Sequence, residues 1–552
     1  MRRGLNHLPG IDAPLVSPGQ ADSLWNGRLF KVGEVRAEGP GRSIVPTPWV
    51  GAYLLVAAAA FNLPLLFWAR NVWDISSPAK PLLAASALTL IGLGAVLLLY
   101  HLGIDAQAAS LGVSTGLIIF VYWKAMDGVA PFLWIIATIA VIAIGHRLRN
   151  TLKLDGMVLV LVALVGVAPL LQVALAHFEN TIPYPVTPPA VVDVEATPTG
   201  ALEDVMVIIV DGYPNLRFAE DWFGHDTSPL SGRLSGLGFD VVPEAWSQHT
   251  FTAPSLSALL ELRPVIGESA ASSTNISSLY AITRGDSFVS RSLRSAGFTY
   301  THFDSGWDVT ACGEMVDTCV ASPWIDETIG GLIESTALGD SIERRLGSYT
   351  LASTLHTTDG LLRLGRELSE NGTHDYIFAH LLLPHDPPVV NQECQFEEAR
   401  VREDQLYLEG LISTDDRRQA ISDQMTCVDS LLGQIAQVPG PSTAVIITAD
   451  HGSGTGGQVL RAPSTWTDSD VAERFGILLA YRLPTGCDDP SDAINTLVMR
   501  AIMTCAVTVE LPDEKPGHLI GLTAPKWVEP SRMQDIQARL AARTLEVSRE
   551  NQ

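Results

Sequence analysis

Residues 205–212 run V-M-V-I-I-V-D-G and residues 443–452 run T-A-V-I-I-T-A-D-H-G. Each is an apolar stretch of strand length that stops on an aspartate near a glycine, and the second adds a histidine between them. In an open α/β sheet, ligands sit beyond the carboxyl ends of the strands. Asp211, Asp450 and His451 are therefore expected to converge there. Two carboxylates and one imidazole form a donor mixture that a divalent cation accepts.

Two further segments carry reactive side chains. Residues 249–260 run H-T-F-T-A-P-S-L-S-A-L-L. Pro254 suits the first turn of a helix and places Thr252 just before that turn. Backbone N–H groups and the dipole at a helix N-terminus favour an anion. A threonine hydroxyl is a poor nucleophile in water, but a neighbouring divalent cation lowers its pKa and activates it. The plain alternative is an N-cap threonine. Residues 378–387 run F-A-H-L-L-L-P-H-D-P, a strand ending in a proline turn with His385, and His380 five residues earlier. His385 could serve as a general acid for a leaving group or grip a phosphoryl oxygen. The alternatives are a turn histidine without a task and, for His380, a satisfied core histidine.

These residues need elements to position them, and the chain divides unevenly. Its 552 residues predict two or three units. Hydrophobic residues make up 47%, and those forming long apolar runs lie at the front. Apolar stretches cover Trp49–Trp68, Leu82–Tyr100, Leu111–Trp123, Val129–Gly145 and Met157–Ala176. A bilayer crossing takes about 20 apolar residues, so Leu111–Trp123 is short. Arg2, Arg3, Arg28, Lys31, Arg36 and Arg42 precede the first stretch, and Arg147, Arg149 and Lys153 lie between the fourth and fifth. The positive-inside rule puts both groups in the cytoplasm, which requires an even number of crossings before Arg147. Leu111–Trp123 must then cross, and five spans deliver everything after Ala176 to the outside. Residues 1–45 contain no apolar core of a cleavable signal peptide.

The expected organisation is a cytoplasmic tail (1–45), a transmembrane module of five helices (46–176), a proline-rich extended linker (177–203), a catalytic domain (204–530) and a C-terminal amphipathic helix (531–552). Cys312, Cys319, Cys394, Cys427, Cys487 and Cys505 all follow the last span. An even count on one side of a membrane points to an oxidising compartment. Fifteen pairings are possible, of which the local ones, Cys312–Cys319, Cys394–Cys427 and Cys487–Cys505, are expected; six buried thiols are the alternative. Residues 1–176 hold 12 Lys/Arg and 8 Asp/Glu, net +4, which taken from −24 leaves −28 for the remainder. So acidic an ectodomain repels polyanions and excludes nucleic acid as a partner. Arginine outnumbers lysine, as in chains from GC-rich bacterial genomes.

After the linker, strands are expected at Val205–Val210, Phe239–Val242, Phe298–Phe303, Tyr376–Leu382 and Ala444–Thr448. Helices are expected at Pro254–Leu262, Ser341–Leu368, Asp415–Ala436 and Ser491–Val507. This alternation predicts an α/β fold, a mostly parallel sheet with helices on both faces. Gly452–Gly457 lacks the lysine and helix of a P-loop and reads as a mobile loop.

The four chemistry-bearing segments, in this order, resemble the alkaline phosphatase superfamily in its sulfatase-like branch. Sulfatases carry C-x-P-S-R followed by A-A-L-L-T-G-R; T-A-P-S-L-S-A-L-L-E-L-R at 252–263 keeps that register with Thr252 in the nucleophile place. An early V-x-x-D, a late A-D-H-G and a middle P-H-x-P match Asp211, Asp450-His451-Gly452 and Pro384-His385-Asp386-Pro387. The resemblance covers roughly 203–510 and implies an α/β/α sandwich.

Departures from the sulfatase pattern narrow the subclass. Thr252 cannot become formylglycine, Leu256 replaces the motif arginine, and Gly212 stands in the place of a second calcium-binding aspartate. A threonine nucleophile beside five spans looks more like the lipoteichoic-acid synthases and phosphoethanolamine transferases. That resemblance implies one divalent metal, zinc or manganese, held by Asp211, Thr252, Asp450 and His451, with Thr252 and His385 catalytic. His380, His385 and Arg461 would face the substrate. The glutamate and downstream histidine common in those transferases are missing near the motif: Ser453 takes the first place, the one histidine after His451 is the distant His518, and Arg461 is the nearest anion holder.

The expected function is a bacterial multi-pass membrane protein with its N-terminus in the cytoplasm and its catalytic domain outside. It would move a phosphoglycerol- or phosphoethanolamine-like group from a membrane phospholipid donor to an envelope glycan or lipid acceptor. The alternatives are a sulfatase-like hydrolase of a phosphate, phosphodiester or sulfate ester, and a non-catalytic scaffold that binds envelope glycans.

Overall fold

The structure, a computed structural model, describes residues 47–528 except 71–78, 123–130, 149–153, 180, 183–193, 267–273, 276, 323–326, 338, 340–341, 343–347, 372–373, 398, 401–413, 455–464, 491–492, 514–517 and 521–525. The expected tail (1–45) and the expected helix 531–552 lie outside the described residues, as does most of the linker.

Seven strands form the central sheet: β1 (Asp204–Val210), β2 (Asp240–Trp246), β3 (Thr299–Phe303), β4 (Thr318–Val320), β5 (Asp375–Leu381), β6 (Thr443–Thr448) and β7 (Gly476–Arg482). Their spatial order is β2-β7-β6-β1-β5-β3-β4. β1 lies between β5 and β6, parallel to both, and β3 runs parallel to β5 and β4. β7 alone runs against the other six, antiparallel to both of its neighbours, β6 and β2.

β1, β5 and β6 are buried at every position. A strand covered on both faces needs a continuous apolar run, which V-M-V-I-I-V and T-A-V-I-I-T supply. The helices fall into two packed groups. Leu216–Phe223, Ser228–Gly236 and Tyr349–Asn371 gather around Thr414–Ile435, whereas Phe288–Ser295 and Asn495–Ala506 gather around Thr252–Glu261. The result is the expected α/β sandwich with a mostly parallel sheet.

Two strands depart from the expectation. β4 has three residues and gives no periodic signal. β7 was missed because helix Asp468–Phe475 runs straight into it at Gly476, without a loop to mark the change. The three predicted cystine pairs all form: Cys312–Cys319, Cys394–Cys427 and Cys487–Cys505.

Ahead of the sheet stand five apolar helices: α1 (Thr47–Arg70), α2 (Ala79–His101), α3 (Ala106–Val121), α4 (Pro131–Leu148) and α5 (Leu154–Glu179). Trp49–Ala69 and Ala79–His101 are long and apolar enough to cross a membrane, while Ala106–Val121, Ile135–Leu148 and Leu164–Leu175 are shorter apolar helices. Small residues let the helices approach closely, as is common within bilayers. A Cβ added at Gly112 would lie 2.0 Å from Ile142, and one at Gly92 would lie 2.7 Å from Val56. Asn62 donates to the Val165 carbonyl at 2.6 Å and accepts from the Tyr122 hydroxyl, tying α1 to α5 and to the end of α3.

The helical bundle and the sheet domain touch at one end. Helix Glu327–Glu334 sets Leu332 among Leu63 and Val121. The Ala337 amide donates to the Phe120 carbonyl at 3.0 Å, and Lys80 Nζ donates to Asp308 Oδ1 at 3.3 Å. The C-terminal ends of α1 and α3 and the start of α2 therefore share this side. At the other end the Asp105 amide, before α3, donates to His146 Nδ1 near the close of α4 at 3.3 Å.

Candidate functional site

The sheet order explains how distant residues meet. Neighbours β6, β1 and β5 run parallel, so Asp450, Asp211 and the His380–His385 segment emerge side by side at their carboxyl ends. β2 is antiparallel to β7, itself antiparallel to β6, so β2 also ends on this side and hands the chain to helix Thr252–Glu261.

Thr252 is the first helical residue, with Phe251 at the N-cap, so the helix begins slightly earlier than expected. The Thr252 hydroxyl instead faces His451, with Oγ1 3.1 Å from Nε2. His451 Nδ1 donates to the Gly452 carbonyl at 2.9 Å, which leaves Nε2 bare toward the site. His451 Nε2 is 3.3 Å from Asp450 Oδ2 and 3.7 Å from Asp211 Oδ1. Asp450 Oδ1 accepts from the Gly212 amide at 3.1 Å. Asp211, Thr252, Asp450 and His451 are all buried.

These spacings fit a bound cation. Two donors each about 2.0–2.1 Å from a tetrahedral metal lie about 3.3 Å apart. The 3.1 and 3.3 Å separations match it, and 3.7 Å is close. Asp450 Oδ2 is buried with no hydrogen-bond donor on it, a costly arrangement for a carboxylate unless a cation offsets it. Burial, with the charges of Arg474 and His385 beside it, holds the His451 pKa well below the usual value, so the ring is a neutral donor.

Two glycines permit the approach. Gly212 has φ +70°, and a Cβ there would sit 3.4 Å from His385 Cα. A Cβ at Gly452 would lie 1.9 Å from the Glu473 carbonyl oxygen.

His385 is exposed at the mouth of the site, between Leu383-Pro384 and Asp386-Pro387, both cis. Its ring centroid lies 5.9 Å from that of His451. Gln424 holds this loop, donating to the Pro384 carbonyl at 2.9 Å and accepting from the Val389 amide at 2.7 Å. His380 is fully buried, its Nε2 3.5 Å from Asp211 Oδ2. Burial brings the His380 pKa down to about 4; the charge of Asp450 opposes this, and His451, His385 and His302 add to it. Arg461 lies outside the described residues.

Sequence reasoning missed two residues that hold the site together. Ser255 donates its hydroxyl to the backbone carbonyl of Asp450, hooking the Thr252 helix to the end of β6. Arg474 is buried; its Nε donates to the Thr250 carbonyl at 2.7 Å and its Nη1 to the Gly452 carbonyl at 2.9 Å. Burial lowers the Arg474 pKa, while Asp450, Asp211, Glu473 and Asp386 hold it up. Ser255 lies one turn from Thr252, a spacing that offered a clue; nothing local marked Arg474.

The Sulfatase family model matches residues 226–479, a stretch that contains Thr252, His385, Asp450 and His451. That stretch of the chain is thus a sulfatase-like enzyme domain, in line with the order of its motifs. No curated protein matches it in sequence. Among solved structures, it is similar to the integral membrane lipooligosaccharide phosphoethanolamine transferase A from Neisseria meningitidis, at 13% identity over 80% of this chain and 88% of that one, TM-score 0.37. The soluble domain of that transferase matches at 16% identity over 55% and 82%, TM-score 0.34. The zinc complex of the periplasmic domain of EcEptC from Escherichia coli matches at 11% over 62% and 96%, TM-score 0.37.

Proposed function

We propose that this chain is a membrane-embedded, metal-dependent phospho-group transferase that uses Thr252 as its nucleophile. The observation that carries the reading is the placement of Thr252 Oγ1 3.1 Å from His451 Nε2, beside Asp211 and Asp450, at the carboxyl ends of the strands. Asp211, Thr252, Asp450 and His451 would hold one divalent ion, zinc or manganese. When bound, that ion supplies positive charge that lowers the Thr252 hydroxyl pKa and offsets charge developing at phosphorus.

Thr252 Oγ1 gives up its proton to water and attacks the phosphorus of a phospholipid head group. The Thr252–phosphorus bond forms, the bond to the lipid alcohol breaks, and His385 protonates the departing oxygen. An acceptor hydroxyl of an envelope glycan or lipid then attacks the same phosphorus, giving its proton to His385, and Thr252 leaves. Ser255 and Arg474 keep Thr252 and the D-H-G turn in register throughout.

The bundle supports a multi-pass arrangement in the bacterial cell membrane. The ends of α1 and α3 and the start of α2 face the sheet domain, and the α2–α3 connection meets the end of α4 on the far side. Alternation of this kind gives five crossings, with the N-terminus in the cytoplasm and the site outside.

Full-length protein incubated with phospholipid labelled in its head-group phosphate should become labelled at Thr252, and Thr252→Ala should not. Equal labelling of the alanine variant sinks the proposal. The exposure of His385 favours a second reading, hydrolysis by the same nucleophile with water as acceptor. Products formed with and without a glycan acceptor separate the two.

A further inference from the structure

His380 lies on β5 opposite Ile209 of β1, directly beneath the carboxylates, and is wholly inaccessible. A phosphate arriving from the His385 side cannot reach it. Its hydrogen bonds nevertheless restrict where its ring proton goes. His380 Nδ1 is 2.9 Å from Thr310 Oγ1, and Thr310 Oγ1 is 2.7 Å from Ser305 Oγ. Ser305 Oγ accepts from the Trp307 amide at 3.1 Å and lies 3.5 Å from the Trp307 carbonyl. Two proton orders satisfy this chain: Nδ1–H to Thr310, Thr310 O–H to Ser305 and Ser305 O–H to the carbonyl, or Ser305 O–H to Thr310 and Thr310 O–H to Nδ1, which turns an Nε2–H toward Asp211.

The first order leaves Nε2 without a hydrogen. Nε2 is buried without a hydrogen-bond partner, 3.5 Å from Asp211 Oδ2, and a cation bound among these groups selects the first order. Donor atoms of Asp211, His380 and Asp450 lie within 4.8 Å of one another. A bare nitrogen lone pair aimed at two carboxylates is repulsive unless a cation sits among them.

We infer that His380 Nε2 is a further ligand of the cation held by Asp211 and Asp450, not a substrate contact, and that Thr310 is the positioning residue that fixes its tautomer. The inference rests on the metal site proposed above and deepens it. Metal-binding histidines commonly donate their second ring N–H to a fixed partner, the part Thr310 plays here. With His451, the site then offers two imidazoles and three oxygens, five donors, a number zinc accepts and a nitrogen content that favours zinc over manganese.

The test uses the full-length protein in detergent, loaded with zinc and read by zinc K-edge X-ray absorption. The expected spectrum counts two imidazoles in the unaltered protein and in His385→Ala, and one in His380→Gln. Thr310→Val should weaken zinc binding about 10- to 100-fold, with Thr310→Ser restoring it. A single imidazole in the unaltered protein overturns the inference and leaves the proposed function standing. Protein that takes up no zinc overturns both. Thermal unfolding of each variant shows that it is folded, and the count in the unaltered protein decides the matter without any variant.

Discussion

Thr252 and His451 are 199 residues apart in sequence, yet Oγ1 of one lies 3.1 Å from Nε2 of the other. The separation is held by backbone anchors rather than by the two side chains alone. Ser255 grips the carbonyl of Asp450, and Arg474 spans the carbonyls of Thr250 and Gly452.

Arg474→Lys should therefore damage catalysis. Lysine keeps a charge but cannot donate from two fixed positions to both carbonyls. If Thr252 is the nucleophile, as proposed, a displacement of about 1 Å there costs on the order of 10²-fold in rate. Labelling kinetics with phospholipid should show that loss, and an unchanged rate would mean that the two loops hold their places unaided.

Gly452→Ala should destabilise the whole domain. Its Cβ would lie 1.9 Å from the Glu473 carbonyl oxygen and 2.4 Å from that of Gly476, and backbone cannot yield as a side chain can. Overpacking of this kind costs about 2 kcal/mol or more. Gly232→Ala, inside helix Ser228–Gly236 with nothing within 4 Å of its Cβ, should stay within about 1 kcal/mol of the unaltered protein. Denaturant unfolding of both variants checks the contrast.

Acid should loosen the contacts that Asp423 makes with Gln392, Arg400 and Gln419. Burial pushes the Asp423 carboxyl up, but hydrogen bonds from Gln392, Arg400 and Gln419 outweigh it and leave the pKa below the usual value. A depressed carboxylate adds stability that is present above the unfolded value of about 3.9 and is lost as pH falls through the folded value. The urea midpoint of the unaltered protein should exceed that of Asp423→Asn at pH 6, and the gap should close toward pH 2. A gap that stays constant would rule out this linkage.

Removing the Cys394–Cys427 bridge should cost both stability and turnover. Its sequence separation is 33, and releasing a loop of that length costs up to about 3–4 kcal/mol through chain entropy. Cys427 belongs to helix Thr414–Ile435, whose Gln424 holds the His385 loop. Cys394→Ala/Cys427→Ala should lower both the unfolding free energy and kcat/KM while leaving the metal content unchanged. Loss of metal would place the bridge closer to the cation than its contacts do.

Much of this architecture was legible because burial on both faces forces an unbroken apolar run. β1, β5 and β6 announced themselves in that way, and the parallel order then carried Asp211, Asp450 and His385 to one edge. The cystine pairs were legible because close sequence neighbours tend to bond. His380 was harder: position on a strand fixes which face a side chain takes, but not whether substrate or a cation lies beyond it. Arg474 gave no local signal, because its partners are carbonyls 224 and 22 residues away. β7 stayed hidden because a helix turned into a strand without a break.

Helix Glu327–Glu334 works as a peg, its Leu332 seated in a slot between α1 and α3. So seated, the sheet domain cannot swing freely on the apolar helices, and the opening beside His385 is held at a set distance from their ends. A sheet domain expressed without its helices would keep the peg, lose the slot and present that greasy segment to water. Preparations of that kind should self-associate unless Leu332 is made polar.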